Sequence, residues 1–195
     1  MSITQGISPR YEQAVIYSST GVGAGLLTTE AYRDTVLIMN FFRHDQVDSV
    51  SLQVEMPTRK KLGHPLAQVH IHCIPMVAPA APPLNVYFQI DYTWQNVGAE
   101  IPTAASWVST NPTMPIAAGD EFKAKEFILA SDVAPPANEA YDSIFLIRVA
   151  RLGTDGNDTY NTNKVGGTGA ANLGLISLDF VFLKDRLGSI NAQTD

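Results

Sequence analysis

Two histidines and the single cysteine of the chain lie within four residues of one another, and these residue types are well suited to metal chemistry. His70, His72 and Cys73 stand in the stretch "LAQVHIHCIPM", residues 66–76. Imidazole nitrogens and thiolates are the ligands that zinc and other first-row transition metals prefer. The stretch therefore raises the question of a metal-dependent activity.

Alternation along an extended chain decides which of these side chains share a face. Successive side chains of a β-strand point to opposite sides of a sheet. In a strand, His70 and His72 would lie on one face with Gln68, about 7 Å apart along the strand. Cys73 would lie on the opposite face among apolar residues, where we expect a buried and chemically quiet thiol.

A His-X-His pair binds metal in cupin-type barrels, where a carboxylate follows shortly and a third histidine comes from a distant strand. Here the first carboxylate after the pair is Asp91, and the remaining histidines, His44 and His64, lie in loop-like sequence. We therefore predict no metal and no cofactor. We interpret His70 and His72 as interaction residues, a polar row that bonds to its neighbours or packs against another subunit. A cupin-like metalloenzyme that uses this pair is the alternative hypothesis.

Other catalytic patterns are absent from the sequence, which predicts that the protein is not an enzyme and has no catalytic residues. There is no Gly-X-Ser-X-Gly elbow of a serine hydrolase. The stretch "GGTGAANLG" lacks the lysine of a P-loop and precedes a strand, which is typical of a flexible loop. The stretch "TDGNDTYN" does not have EF-hand spacing and is typical of a turn with Asx capping.

Composition narrows the class of protein further. The 195 residues suit one domain, and the net charge of -6 disfavours a general affinity for nucleic acid, which depends on Lys and Arg neutralising phosphates. One short basic run, "RKK" at residues 59–61, is expected to be a solvated loop tip. A single cysteine excludes an internal disulfide, and no apolar stretch approaches the roughly 20 residues of a membrane helix. We expect a soluble protein with no membrane partner.

Period-two alternation predicts an all-β protein. In "LNVYFQIDYTW", residues 84–94, one face is apolar and the other polar, as in a half-buried antiparallel strand. The stretch "LISLDFVFLK" repeats the pattern, with Ile176 expected on the buried face and Asp179 on the polar face. "YDSIFLIRVARL" predicts a strand covered on both faces, whereas "EFKAKEFIL" suits either a strand or a short helix.

Proline- and glycine-rich stretches such as "APAAPP", "NPTMPIAAGD" and "APPANE" separate these strands and predict long loops. About eight strands with such loops indicate an antiparallel β-sandwich of the jelly-roll type. We expect residues 1–30 to form an N-terminal arm or extended segment, and residues 31–195 to form a single β-sandwich domain.

Four phrases of the sequence are similar to those of a group of tailed-bacteriophage virion proteins. These are "VHIHCIPM", "YFQIDYTWQNVGAEIP" (residues 87–102), "LIRVARLGTDGNDTY" (residues 146–160) and the closing "SLDFVFLKDRLGSINAQTD". The resemblance runs from about Val50 to the C-terminus. It implies a jelly-roll-like β-sandwich and a non-enzymatic structural role, most simply as a capsid cement or decoration protein.

The resemblance also implies partners and a location. Such proteins are usually symmetric oligomers, so we expect a homo-oligomer, as a homotrimer, that contacts the major capsid protein or other virion proteins. The expected location is the virion, assembled in the host cytoplasm. The alternatives are a tail, neck or fibre component, or a carbohydrate-binding (receptor-binding) jelly-roll module. For sugar binding and other interactions the candidates are Trp107 and Tyr160, which lie in loop-like sequence, whereas Trp94 is expected in the core.

Overall fold

The computed structural model describes residues 11–16, 28–31, 38–161 and 170–184, and in this part of the chain the fold is all-β. The regular structure of these described residues consists of eleven strands and one short 3-10 helix at Ala104–Ser106. The strands are β1 Tyr11–Ile16, β2 Thr28–Ala31, β3 Ile38–Phe42, β4 Val47–Glu55, β5 Leu66–Pro75, β6 Leu84–Gln95, β7 Val108–Thr110, β8 Thr113–Ile116, β9 Lys125–Val133, β10 Ile144–Leu152 and β11 Leu173–Leu183. None of these residues forms a helix long and apolar enough to span a membrane.

The strands form two antiparallel sheets. The first sheet has the order β2-β3-β11-β5-β9, with β1 also paired along β11. The second has the order β4-β10-β6-β7, and β8 also pairs with β6. Neighbours in these sheets are often far apart in sequence, which is the arrangement of a sandwich and not of a simple meander. The predicted antiparallel β-sandwich is confirmed, and the strands beyond the expected eight include short ones such as β7, too short for alternation to reveal.

The core lies between the two sheets and is built from their alternating apolar residues. Val86, Phe88 and Ile90 of β6 are completely buried, as the alternation of that strand predicts. Phe42 of the first sheet packs edge-to-face on Phe88 of the second, with ring centroids 5.9 Å apart. Cys73 points into the same core, and burial raises the pKa of its thiol far above the usual range. The expectation that Cys73 is buried is confirmed.

Register shifts in the first sheet change the face of the sheet on which individual side chains lie. The pairing of β11 with β5 shifts between Leu175 and Ser177, so the intervening Ile176 points outward and is 48% exposed. The expectation that Ile176 lies on the buried face is therefore wrong, because a bulge moves a residue out of the alternation. After the bulge Leu178 is buried inward and Asp179 lies on the outer face, as predicted. The ambiguous stretch "EFKAKEFIL" contributes to strand β9 and contains no helix.

The predicted N-terminal segment of residues 1–30 lies mostly outside the described residues. Its described parts are extended: β1 pairs with β11, and β2 pairs with β3. Residues 162–169, which include the first four residues of "GGTGAANLG", and residues 185–195 also lie outside the described part.

Candidate functional site

Tyr160 was a candidate interaction residue, and the structure buries it completely. Its hydroxyl donates to the backbone oxygen of Val77 at 2.7 Å and accepts from the backbone nitrogen of the same residue at 3.0 Å. Burial raises the pKa of the Tyr160 hydroxyl, and the hydrogen bond to Val77 counteracts part of this effect. The side chain of Tyr160 is therefore not available to a ligand at the surface, because an internal ion pair holds its loop against the core.

That ion pair joins Arg151 of β10 to Asp158, and both side chains are fully buried. The guanidinium donates to Asp158 from Nε at 2.7 Å and from Nη2 at 3.0 Å. It also donates to the backbone oxygens of Phe42 and Ala171, at 3.3 and 2.6 Å, and to the backbone oxygen of Tyr160. Every nitrogen of the guanidinium is therefore bonded, and one side chain connects β3, β10 and the parts of the chain on either side of residues 162–169.

A second buried ion pair lies at Lys60, which sequence predicted to be part of a solvated loop tip. That prediction is wrong for Lys60, because its ammonium reaches inward to Glu139, with Nζ 2.9 and 2.8 Å from the two carboxylate oxygens. The ammonium also donates to the backbone oxygen of Lys61 and lies 4.6 Å from the ring centre of Trp94. Burial lowers the pKa of Lys60, and the bond to Glu139 counteracts this shift. Trp94 itself is buried, as predicted.

Trp107, the other aromatic candidate, is partly buried and lies in an exposed connection that we call the β6–β7 segment, residues 96–109. Its indole nitrogen donates to the backbone oxygen of Pro102 at 3.0 Å, so the ring folds back onto its own segment. Val97, Ile101 and Val108 in this segment are 52%, 56% and 50% exposed. The segment therefore presents apolar side chains to solvent.

Both ends of the β6–β7 segment are attached to the sandwich. Asn96 accepts from the backbone nitrogen of Ala140 at 2.8 Å and donates to the backbone oxygen of Asn138 at 3.0 Å. At the other end the hydroxyl of Ser109 donates to Asp91 at 2.7 Å, and Asp91 also lies 3.4 Å from Arg148. The apolar residues are thus held on a fixed base.

His70 and His72 lie on the outer face of the first sheet, as the alternation predicts, and the neighbouring strands bring carboxylates to them. His72 lies opposite Glu126 of β9 in the strand register, and His70 lies opposite Asp179 of β11. His70 Nδ1 contacts Glu126 Oε1, and His72 Nε2 lies 2.8 Å from Asp179 Oδ2. The two imidazole centroids are 6.5 Å apart. We call these four residues the histidine–carboxylate cluster.

Burial differs across the histidine–carboxylate cluster. The side chains of Asp179 and His70 are 3% and 8% exposed, those of His72 and Glu126 are 25% and 52% exposed. His70 Nε2 also lies 2.8 Å from the amide oxygen of Gln68, its neighbour on the same strand face. One potential ligand atom each of His70, His72 and Glu126 lies within 4.8 Å of the others. His70 and Asp179 are therefore buried, whereas His72 and Glu126 are accessible to solvent.

The sequence missed Glu126 and Asp179 as partners of the histidines. The expected carboxylate a few residues after the pair is replaced by two carboxylates that come from adjacent strands. Alternation places Asp179 on a polar face, but only the pairing order β11-β5-β9 shows that both carboxylates reach β5.

No protein-family model matches this chain, and no curated protein matches it. Among solved structures, that of TmCBM61 in complex with beta-1,4-galactotriose is similar to it, with 9% sequence identity and a TM-score of 0.37. The match covers 89% of this chain and 88% of that chain. Similarity at this level carries no argument about what this protein binds.

Proposed function

We propose that this chain is a non-enzymatic structural protein of a tailed-bacteriophage virion, a capsid cement or decoration protein that stabilises the particle through subunit contacts. The observation that carries the proposal is the exposed apolar β6–β7 segment. The resemblance of four sequence phrases to virion proteins supplies the biological setting. Its partners in this proposal are further copies of itself, as a homotrimer, and the major capsid protein.

The β6–β7 segment has the composition of a protein-contact surface. It contributes three of the seven large apolar side chains that are exposed among the described residues. Ala99, Ala104 and Ala105 are exposed as well, and Glu100 is the one charged residue between positions 96 and 109. Grouped apolar residues that a folded chain leaves in water mark interaction sites, whereas scattered ones do not. Association through this segment would remove its apolar surface from water.

The outer face of the second sheet next to the segment is polar, which limits the contact to the segment and its surroundings. Gln89 Nε2 lies 3.1 and 3.2 Å from the carboxylate oxygens of Asp91, which also binds Ser109. An interface with an apolar centre and a polar, hydrogen-bonding rim is the usual form of a specific protein contact. The β6–β7 segment would supply the centre, and this polar row would supply part of the rim.

Sedimentation equilibrium of the purified chain tests the contact. We expect a species of about 63 kDa, three times the 21.1 kDa of one chain. The substitution Ile101→Ser should shift the protein to the monomer, while Val47→Ser, an exposed apolar residue outside the segment, should leave the trimer unchanged. A wild-type protein that stays monomeric at millimolar concentration would contradict the proposal.

The virion setting needs a separate measurement. Mass spectrometry of purified phage particles from a host that carries this gene should find the chain at the copy number of a capsid or tail component. A copy number that matches the major capsid protein would favour the cement role, and a low copy number would favour a neck, tail or fibre component. Absence from the particles would overturn the proposal.

A carbohydrate-binding module is the second candidate, and Trp107 is the residue that favours it. The ring is partly exposed two positions before Ser109, whose hydroxyl bonds to Asp91, so an aromatic side chain and polar groups lie near each other. Sugars bind to such combinations of aromatic and hydrogen-bonding groups. Glycan-array binding that Trp107→Ala abolishes and Tyr87→Ala retains would support this candidate, and no binding to any glycan would remove it.

A further inference from the structure

The histidine–carboxylate cluster is a second feature of the surface, and the proposed function does not use it. We propose that the chain binds one divalent transition-metal ion of the zinc class through His70, His72 and Glu126, with Gln68 holding the imidazole of His70 in place and Asp179 lying beside that of His72. The site lies on the outer face of the first sheet, where it would connect β5 to the edge strand β9.

The hydrogen-bond pattern of the imidazoles indicates which nitrogen would bind the ion. An amide oxygen can only accept, so the 2.8 Å contact between Gln68 and His70 places the proton of His70 on Nε2. Nδ1 is then the free lone pair of His70. The Nε2 atom of His72 lies 2.8 Å from a carboxylate oxygen of Asp179 without the geometry of a hydrogen bond, so this buried ring nitrogen also lacks a hydrogen-bond partner.

This arrangement matches the way proteins orient histidine ligands of a metal. A ligating histidine almost always donates its other ring nitrogen to a carboxylate or carbonyl oxygen, which fixes the tautomer and the ring orientation. Here His70 has the amide oxygen of Gln68 as that partner, and a carboxylate of Asp179 lies beside the ring of His72. A polar row that served only to solvate the sheet would not need the His70 ring to be held at its second nitrogen.

The geometry and charge of the cluster fit a divalent ion. Ligand atoms around a tetrahedral zinc lie about 3.4 Å apart, since zinc–nitrogen distances are about 2.1 Å. The three candidate ligand atoms lie within 4.8 Å of one another, so small side-chain rotations would bring them to that spacing. Glu126 contributes one carboxylate to the ligand set, and a metal cation would balance its negative charge. The nearby Lys125 is already paired with Asp120 at 2.5 Å.

The preference among metals follows from the donor atoms. Two imidazoles and one carboxylate are typical of zinc and its first-row neighbours, whereas calcium and magnesium prefer oxygen ligands alone. Glu126 is half exposed, so the fourth coordination position would face solvent, where water or a side chain of another molecule could fill it.

Isothermal titration of the untagged, chelator-treated full chain with zinc chloride tests this inference. We expect one equivalent of zinc to bind with a dissociation constant below about 10 μM. Cobalt chloride should give the visible absorption bands of a tetrahedral or five-coordinate site. The melting temperature should rise by about 5 °C in excess zinc, because the ion binds only the folded chain.

Variants separate a specific site from weak surface binding. His72→Ala and Glu126→Gln change partly exposed side chains and should lower zinc affinity by more than about 100-fold and by at least about tenfold, respectively. Gln68→Leu should lower it by roughly 10- to 100-fold, as loss of an orienting partner does. His64→Ala, a histidine in a turn outside the cluster, is the matched control and should bind zinc as the wild type does.

Two results would overturn the inference. One is a wild-type titration without stoichiometric zinc binding. The other is zinc binding that persists unchanged in His72→Ala and Glu126→Gln. Circular dichroism of each variant confirms the fold beforehand, and Glu126→Gln preserves the shape of a half-exposed side chain, so at least one informative variant is expected to fold. Neither result bears on the β6–β7 segment, which is tested by sedimentation.

Discussion

The charged groups in the interior of this protein differ from those on the outer face of its first sheet. Arg151 in the core has every nitrogen bonded, and Lys60 combines a carboxylate, a backbone oxygen and an aromatic ring around one ammonium. In the histidine–carboxylate cluster, ring nitrogens of His70 and His72 are buried and face carboxylates without the geometry of a hydrogen bond. The Arg151 and Lys60 side chains therefore have their partners within the protein, whereas buried ring nitrogens of the histidine–carboxylate cluster remain without a hydrogen bond.

This difference distinguishes the charged groups that stabilise the fold from the side chains that are available for binding. Buried charges are tolerated only when they are paired and fully hydrogen-bonded, so the interior clusters are explained by the demands of folding. Polar groups at a surface can be solvated by water and need no partners for the fold to survive. Side chains that are nevertheless gathered there, as at His72 and Glu126 or in the apolar β6–β7 segment, are the places where this protein is expected to bind something.

The largest expected effect is on folding and concerns Arg151. Arg151→Met would leave the Asp158 carboxylate and several backbone oxygens buried without their donor, so we expect a loss of about 3–5 kcal/mol in the free energy of unfolding. Urea denaturation measures it. The matched control is Arg148→Met on the same strand, whose pair with Asp91 is partly exposed and should cost less than about 1 kcal/mol. Equal losses in the two variants would remove the distinction between interior and surface charges.

Lys60 should make the free energy of unfolding of this protein depend on pH. Because burial lowers the pKa of Lys60 below 10.5 in the folded chain, the unfolded chain binds more protons between the two pKa values. The stability of the wild type relative to Lys60→Met should therefore rise as the pH increases towards 10.5. Denaturation of both proteins between pH 7 and pH 10 measures this difference. Lys61→Met, which alters an exposed neighbour, should show no such trend, and a falling difference for Lys60 would contradict the assignment.

Sequence reasoning was more successful for features that depend on one strand than for contacts between distant parts of the chain. Alternation correctly predicted the buried face of β6 and the shared face of His70 and His72, because both depend on neighbours along one strand. Local sequence did not reveal the burial of Tyr160 and Lys60, which depends on partners 83 and 79 residues away in the chain. Period-two patterns contain no information on which strands pair, so long-range ion pairs stay invisible until the sheet order is known.

The smallest expected effect concerns the histidine–carboxylate cluster without metal. Glu126→Gln in chelator-treated protein should change the free energy of unfolding by less than about 1 kcal/mol, because the carboxylate is half exposed and water can replace its contacts. Urea denaturation alongside Arg151→Met gives the comparison directly. A loss as large as that of Arg151→Met would contradict this expectation. It would show that the cluster stabilises the fold, as the interior ion pairs do.

We propose that this protein acts by association through the β6–β7 segment, and hydrogen–deuterium exchange can locate the surface that associates. Exchange is compared at concentrations where the chain is dispersed and where it is assembled. We predict that backbone amides of residues 96–109 become protected on assembly, while those of the buried strands β6 and β10 are protected in both states. Unchanged exchange in residues 96–109, with new protection elsewhere on the surface, would contradict the claim.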